Sequence, residues 1–190
     1  MRIEKSKLFV LFIPTLVVII IDQLSKHWIR TTPAMHDYSL IKGVLSFHYT
    51  QNPGMAMGMR FFNTPVISVI AIVATIFILL YIISSLPRAN RGYLVCMGLI
   101  LGGAFGNIID RLFMARIGSY GTYLEGHVVD FIHFTLEVND WAVFPYIFNV
   151  ADMAISVSLV SLLVFHNKLL PDRGVFENSG SSNSGSESLS

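Results

Sequence analysis

Four long apolar stretches dominate the order of hydrophobic and polar residues in this chain. They cover residues 8–29, 65–86, 93–111 and 144–165, and more polar segments separate them. A helix needs about 20 mainly apolar residues to cross the hydrocarbon core of a bilayer. The pattern therefore predicts a membrane α-helical fold with four transmembrane helices.

The connection between the first two apolar stretches has the alternation of a β-strand. Within residues 44–50, every second residue is large and apolar: Leu45, Phe47 and Tyr49. The turn residues 52–54 follow, and residues 55–59 alternate again, with methionine at 55, 57 and 59. We expect a small extracytoplasmic β-sheet whose apolar face rests on the outer leaflet. The alternative is a loop packed on the helix ends.

Basic residues crowd three flanks of the apolar stretches: the N-terminus, the short link between the second and third stretches, and the segment after the fourth. They are found at Arg2, Lys5, Lys7, Arg88, Arg91, Lys168 and Arg173. Short loops rich in Lys and Arg stay cytoplasmic, so we expect both termini in the cytoplasm and a multi-pass chain. Residues 1–166 are predicted to form a single integral membrane domain. The polar tail at 167–190 is expected to be disordered.

Composition agrees with a membrane protein and excludes several classes of function. Of the 190 residues, 53% are hydrophobic and 13% are charged, and the mean hydropathy is +0.62. A formal net charge of +1 gives no attraction to nucleic acid. One cysteine, Cys96, cannot form an intrachain disulfide or a multi-cysteine zinc site.

Charged residues inside the apolar stretches require a partner or a function, because each costs about 2.5–3.5 kcal/mol at mid-helix. Asp22 and Lys26 are four residues apart and are predicted to pair, either as a structural pair or at the edge of a site. At the end of the third stretch, a hydrogen-bonded network is expected among Asn107, Asp110 and Arg111. Glycine at 98, 102 and 106 predicts close packing against another helix.

Two further acids are candidates for catalysis. Asp152, with Asn149 three residues earlier, is expected well inside the fourth helix, and Asp130 lies in an apolar segment. Two buried carboxyls that share one proton can activate a water molecule and polarise a peptide carbonyl. The alternative is that the two acids are unrelated and lie at separate helix ends.

Three other interpretations stay open at this stage. A metal site would use His127, Asp130 and His133, with His48 nearby, but HExxH is absent and we expect neither a metal nor another cofactor. A proton-coupled transporter would use Asp22, Asp110 and Asp152 as a relay. A helix-packing subunit would use none of them.

Five short motifs follow one another between residues 8 and 165. They are Asp22-Gln-Leu-Ser-Lys26, Asn52-Pro-Gly-Met-Ala56, Gly102-Gly-Ala-Phe-Gly-Asn107-Ile-Ile-Asp110-Arg111, His127-Val-Val-Asp130-Phe131 and Phe148-Asn149-Val-Ala151-Asp152. In this order they resemble the motifs of the lipoprotein signal peptidases, signal peptidase II. Two departures are a longer segment at 112–129 and Met57 at a position where an aromatic residue is expected.

The resemblance implies an aspartic endopeptidase that removes signal peptides from diacylglyceryl-modified prolipoproteins, cleaving before the lipidated cysteine. It implies a location in the bacterial cytoplasmic (inner) membrane, an extracytoplasmic active site, contact with membrane lipid and inhibition by globomycin. We expect the chain to be a monomer. By matching positions, the catalytic pair is Asp130 and Asp152. The supporting or substrate-binding positions are Asp22, Lys26, Asn52, Gly54, Asn107, Asp110, Arg111, Asn149 and Ala151.

Overall fold

The computed structural model describes residues 4–54, 62–138 and 141–169. Three helices in this part of the chain are long and apolar enough to cross a membrane: α1 (Lys5–Thr31), α2 (Thr64–Ser85) and α3 (Arg91–Ile117). They coincide with the first three predicted spans, which are thus confirmed as helices of membrane-spanning length. The predicted tail lies outside the described residues from position 170 onward.

The fourth predicted span is shorter than the apolar pattern suggested. Helix α4 covers Val150–Val164, 15 residues, and the four-residue helix α5 (His166–Leu169) follows it. Residues 144–149 are not helical, because Asn149 caps the helix and Ile147–Phe148 forms a strand. At 1.5 Å per residue, α4 is about 22 Å long. Asp152 therefore lies in the first turn of α4, and the expectation that it lies deeper in the helix is wrong.

Six strands in the described part of the chain form two antiparallel sheets. The larger sheet has the order β1 (Asp37–Ile41), β2 (Leu45–Asn52), β3 (Val128–Phe134) and β6 (Ile147–Phe148), whereas β4 (Glu137–Val138) pairs only with β5 (Trp141–Ala142). Strand β2 confirms the strand predicted at residues 44–50. The second strand expected at 55–59 lies outside the described residues, and β3 is the strand that pairs with β2 on its inner side.

Helix α3 lies between α1 and α4 because small residues allow both neighbours to approach closely. A Cβ atom added at Gly102 would lie 2.7 Å from Val18 Cβ, and one at Gly106 would lie 2.6 Å from Asp22 Oδ2. On another side of α3, a Cβ at Gly103 would lie 2.7 Å from Ile155 Cγ1 of α4. The glycine row thus packs against α1, as expected for small residues at four-residue spacing.

An apolar cluster holds the sheet against the helix ends. Ile29 of α1, Met114 of α3 and Val129 and Phe131 of β3 are buried together. Because side chains alternate along a strand, Asp130 points away from this cluster while its neighbours on either side anchor the strand. The packing of β3 thereby sets the position of Asp130.

Candidate active site

Asp130 lies in β3, an inner strand of the larger sheet, and both of its carboxylate oxygens accept hydrogen bonds. Its side chain is buried, with 3% exposure. Asn52, at the end of the neighbouring strand β2, donates from Nδ2 to Asp130 Oδ2 at 3.1 Å. Asn149, just before α4, donates from Nδ2 to Asp130 Oδ1 at 2.6 Å. Two predicted site residues therefore contact this acid directly.

Asp152 is held by the cap at the start of α4. The Asn149 side chain accepts from the Asp152 main-chain N–H at 3.0 Å, and the Asn149 main-chain N–H donates to Asp152 Oδ2 at 3.3 Å. This reciprocal arrangement is a capping box. The second oxygen, Asp152 Oδ1, accepts from Asn107 Nδ2 of α3 at 2.8 Å. The carboxyl is thus oriented by two different helices.

Asn149 connects the two acids. Its Nδ2 donates to Asp130, its main chain and Oδ1 form the cap with Asp152, and its Nδ2 also lies 3.2 Å from Asn107 Oδ1. The side chain is fully buried, so these contacts are shielded from water. The structure thus brings Asp130 and Asp152, which are far apart in sequence, into one hydrogen-bond network.

The electrostatics of the pair favour a proton on Asp130. Burial, followed by the nearby Asp152 charge, raises the pKa of Asp130 from its ordinary value near 3.8 to about 7. Hydrogen bonds from Asn52 and Asn149 and the charge of Lys26 act in the opposite direction. A carboxyl with this pKa can be protonated near neutral pH beside a second acid.

A buried ion network lies on the far side of Asn107. Lys26 Nζ lies 2.8 Å from Asp22 Oδ2 and 2.9 Å from Asp110 Oδ2, and it donates to Asn107 Oδ1 at 3.0 Å. The predicted Asp22–Lys26 pair is thus confirmed, with Asp110 as an additional partner. All three charged side chains are at most 3% exposed, and removing one partner from such a group leaves an uncompensated buried charge.

Gln23 belongs to this network although its sequence position gave no indication of it. Its Nε2 lies 3.2 Å from Asp22 Oδ2 and 3.1 Å from Asp110 Oδ1, and it donates to the Gly106 carbonyl at 3.1 Å. An uncharged residue next to an acid carries no periodic signal. Its contacts follow from the meeting of α1 and α3.

Arg111 lies near the acids and has side-chain nitrogens that are not hydrogen-bonded in the described part of the chain. Its guanidinium interacts electrostatically with Asp130, Asp110 and Asp152. Within the described part of the chain, its Nε and Nη1 are buried side-chain nitrogens without a hydrogen-bond partner. A buried donor of this kind costs free energy until an acceptor reaches it. The group is therefore suited to receive a carbonyl or ester oxygen.

The two remaining predicted positions support the backbone of the site. The Ala151 main-chain N–H donates to Asp22 Oδ1 at 3.0 Å. Gly54 adopts φ +106°, a conformation that favours glycine, and its N–H donates to Asn52 Oδ1 at 2.9 Å. The turn predicted at residues 52–54 thus orients the amide that contacts Asp130.

An apolar groove opens beside Asp152. It encloses about 910 Å³ between the larger sheet and α4. The sheet contributes Leu45, Ile132 and Phe148, and α4 contributes Met153 and Val157 next to Asp152. A groove whose wall is apolar apart from Asp152 and Ser156 suits a ligand whose polar reacting bond is attached to a long apolar part.

The histidines considered for a metal site do not form a ligand cluster within the described residues. His48 pairs with Asp37 on the sheet, and the ring of His127 contacts that of Tyr120 in a tilted arrangement at a centroid distance of 5.1 Å. His48 and His133 have ring centroids 6.1 Å apart. Among residues 4–54, 62–138 and 141–169, no group of three or more His, Cys, Asp or Glu side chains is arranged to hold a metal ion.

Comparison with protein families gives a match over most of the chain. Residues 14–167 match the model of a family described as signal peptidase (SPase) II. A lipoprotein signal peptidase of Pelodictyon phaeoclathratiforme is 36% identical over 171 residues, which cover 87% of this chain and 93% of the relative. One from Porphyromonas gingivalis is 30% identical over 193 residues, with 86% and 84% covered.

Solved structures agree with the sequence comparison. A bacterial membrane enzyme determined by the in meso method at 2.3 Å resolution superposes with a TM-score of 0.61 at 27% identity, covering 84% of this chain and 92% of that one. A second structure, at 1.9 Å resolution, gives a TM-score of 0.62, also at 27% identity, with 82% and 91% covered. The fold is therefore similar to that of known bacterial membrane enzymes.

Proposed function

Because this chain belongs to the signal peptidase II family, we propose that it removes signal peptides from diacylglyceryl-modified prolipoproteins by means of Asp130 and Asp152, cleaving just before the lipidated cysteine. Membership makes the chain an aspartic peptidase. The observation that supports the assignment of the pair is the bridge through Asn149, which bonds to both carboxyls. A proton relay for transport is not favoured by the family.

The proposed reaction needs one proton on the pair. Asp152, as carboxylate, takes a proton from a water molecule, whose oxygen adds to the scissile carbonyl carbon. Protonated Asp130 hydrogen-bonds the carbonyl oxygen and transfers its proton to the oxyanion that forms. The C–N bond then breaks, the amine leaves with the proton held by Asp152, and the new carboxyl returns a proton to Asp130. The raised pKa of Asp130 supports this division of roles.

The apolar groove beside Asp152 is the proposed place for the substrate's lipid chains. Its volume of about 910 Å³ lies within the range of pockets that take small to medium ligands. Asp152 is part of the groove lining, so a lipid bound there and attached to the cysteine would bring the preceding peptide bond near this acid. Arg111 would then donate to a carbonyl or lipid ester oxygen through its unpartnered nitrogens.

We propose that the site lies at the extracytoplasmic surface of the inner membrane. Helices α1 to α3 are apolar and long enough to span, and α4 (Val150–Val164) would complete a four-helix domain within residues 1–166. Lys7, near the start of α1, donates to Pro87 O at 2.8 Å in the link that follows α2. Lys7 and the neighbouring Arg88 therefore lie at the end of α1 opposite to Ile29, against which the strand of Asp130 packs. The positive-inside rule places that end in the cytoplasm.

The decisive experiment measures cleavage of a lipidated prolipoprotein by purified protein in detergent. Asp130→Asn and Asp152→Asn are each expected to abolish cleavage while the protein stays folded. Asp37→Asn is a matched control, because Asp37 is an exposed sheet residue that pairs with His48. Full activity in either of the first two variants contradicts the assignment, and activity that a chelator removes and zinc restores supports the histidine alternative.

A further inference from the structure

We propose that Asp22 and Asp110, joined by Lys26 and Gln23, act as a double clamp that sets the separation of the two catalytic carboxyls. This inference rests on the proposed function of Asp130 and Asp152. It gives Gln23 a role as a positioning residue for the reaction.

The first arm of the clamp holds the start of α4. Asp22 Oδ1 accepts from the main-chain N–H of Ala151 at 3.0 Å. Ala151 immediately precedes Asp152 and is fully buried. This N–H is in the first turn of the helix, where main-chain donors lack helical partners. Asp22 therefore determines where the first turn of α4, and with it Asp152, lies relative to α1.

The second arm holds strand β3. Asp110 Oδ2 accepts from the main-chain N–H of Val129 at 3.1 Å. Val129 immediately precedes Asp130 and is also fully buried. The two arms are thus alike: each supporting carboxylate bonds to the main-chain N–H of the residue just before a catalytic acid. The close approach of Gly126 to the Asp110 carbonyl brings the chain back to this point.

Lys26 and Gln23 connect the two arms. Lys26 Nζ lies within 2.9 Å of an oxygen of each carboxylate. Gln23 Nε2 lies between the same two carboxylates, at 3.2 Å from Asp22 Oδ2 and 3.1 Å from Asp110 Oδ1. Both connecting residues come from a single turn of α1. The distance between the two arms is therefore set by one short, buried piece of helix.

Each group in the clamp has a partner of opposite charge or a complementary hydrogen-bonding partner. Lysine supplies one positive charge that both buried carboxyl groups share, and the glutamine amide supplies donors without adding charge. Because Lys26 also donates to Asn107 Oδ1 at 3.0 Å, it orients the amide that donates to Asp152. The clamp thus controls both the backbone position and one side-chain contact of the pair.

Gln23→Met tests the clamp, because methionine is similar in shape and lacks the amide. We expect kcat for a lipidated prolipoprotein to fall by about 10-fold to 100-fold with little change in KM, as for a small misplacement of reacting groups. We also expect the alkaline midpoint of the pH–rate profile to move to lower pH. Without the amide that links Asp22 and Asp110, the two arms and the catalytic acids they hold are expected to move apart. A more distant Asp152 charge then raises the pKa of Asp130 less.

The matched control is Gln51→Met, an exposed glutamine of β2 whose amide donates to Tyr49 Oη at 2.8 Å. Thermal unfolding and titration with globomycin count the folded sites in each preparation. Should Gln23→Met fail to fold, Gln23→Asn keeps an amide but shortens its reach and is measured in the same way.

The alkaline midpoint of the pH–rate profile distinguishes a positioning role of Gln23 from a merely structural one. Loss of activity in proportion to folded sites, with the midpoint unchanged, overturns the clamp, and so does wild-type kcat with a wild-type midpoint in the folded Gln23 variants. Asp130→Asn is assayed in parallel. If that variant is active, the proposed function fails; if it is inactive while Gln23→Met equals wild type, only the clamp fails.

Discussion

The side-chain amide of Asn149 donates to Asp130 Oδ1 at 2.6 Å. The same residue caps the helix that carries Asp152. One asparagine therefore sets the orientation of one proposed catalytic acid and the helix start that carries the other.

Replacing this residue is expected to impair catalysis more than stability. For Asn149→Ala we predict a fall in kcat of about 100-fold, together with a loss of about 1 kcal/mol in unfolding free energy from the missing cap. Cleavage assays and thermal unfolding measure the two effects. Asn90→Ala is the matched control, because Asn90 caps α3 at Tyr93 and lies far along the chain from the acids. Equal activity losses in the two variants would contradict this prediction.

The pH dependence of cleavage should reflect the shared proton. Because the pKa of Asp130 is raised to about 7, kcat/KM is expected to decline as pH rises through about 7, where the pair loses its proton. In Asn149→Ala the decline should move to higher pH, since the Asn149 hydrogen bond lowers the pKa of Asp130. A rate that stays constant from pH 6 to 9 would exclude a protonated Asp130 as a participant.

The stability of the folded protein should depend on pH through the same group. Between about pH 4 and 7 the folded state holds a proton on Asp130 that the unfolded state has lost, so wild-type stability falls as pH rises through this window. Asp130→Asn cannot ionise and lacks this dependence. We predict that its stability relative to wild type increases by roughly 1–4 kcal/mol from pH 4 to pH 8. Denaturant or thermal unfolding at the two pH values measures the difference, and parallel curves would contradict it.

Substitutions at two glycines of α3 should distinguish an effect on helix packing from an effect on catalysis. A methyl group at Gly102 meets Val18, whereas one at Gly106 meets the carboxylate of Asp22. Both Gly102→Ala and Gly106→Ala are expected to lose about 1–3 kcal/mol through overpacking. Only Gly106→Ala should lower kcat per folded site, because it displaces Asp22. The prediction fails if both variants retain wild-type kcat after normalisation to folded protein.

Filling the apolar groove should weaken substrate binding. Val157 of α4 lines this groove, whereas Leu163 lies further along the same helix outside it, with 74% exposure. We expect Val157→Trp to raise KM for a lipidated prolipoprotein about 10-fold, a cost near 1.4 kcal/mol. Leu163→Trp should leave KM near the wild-type value. An unchanged KM in Val157→Trp would place the lipid chains elsewhere.

Much of the helical architecture could be predicted because apolar length and glycine spacing are local properties of the sequence. The glycine row indicated close helix contact, and the structure identifies α1 as the partner of Gly102 and Gly106. The pairing of Asp22 with Lys26 followed from their four-residue spacing, and the structure adds Asp110 as a third member.

The start of α4 could not be located from hydropathy. Ile147 and Phe148 are apolar, and they count toward a predicted span although they pair with β3 in the sheet. Their strand conformation depends on residues 132 and 133, which are distant neighbours that a local pattern does not contain. Gln23 was missed for a similar reason, since its partners on α3 are known only once the helices pack.

The capping box has a consequence for how this chain tolerates insertions. Asn149 caps the start of α4 and Asp152 is the third residue of the helix. The direction in which the Asp152 side chain points is therefore fixed by the number of residues between it and the cap. One extra residue between them would rotate the carboxylate by about 100° around the helix axis. Length changes in the segment before Ile147, by contrast, would leave the spacing between Asn149 and Asp152 unchanged. Variation in length among related chains should therefore accumulate upstream of residue 147 and be absent between residues 149 and 152.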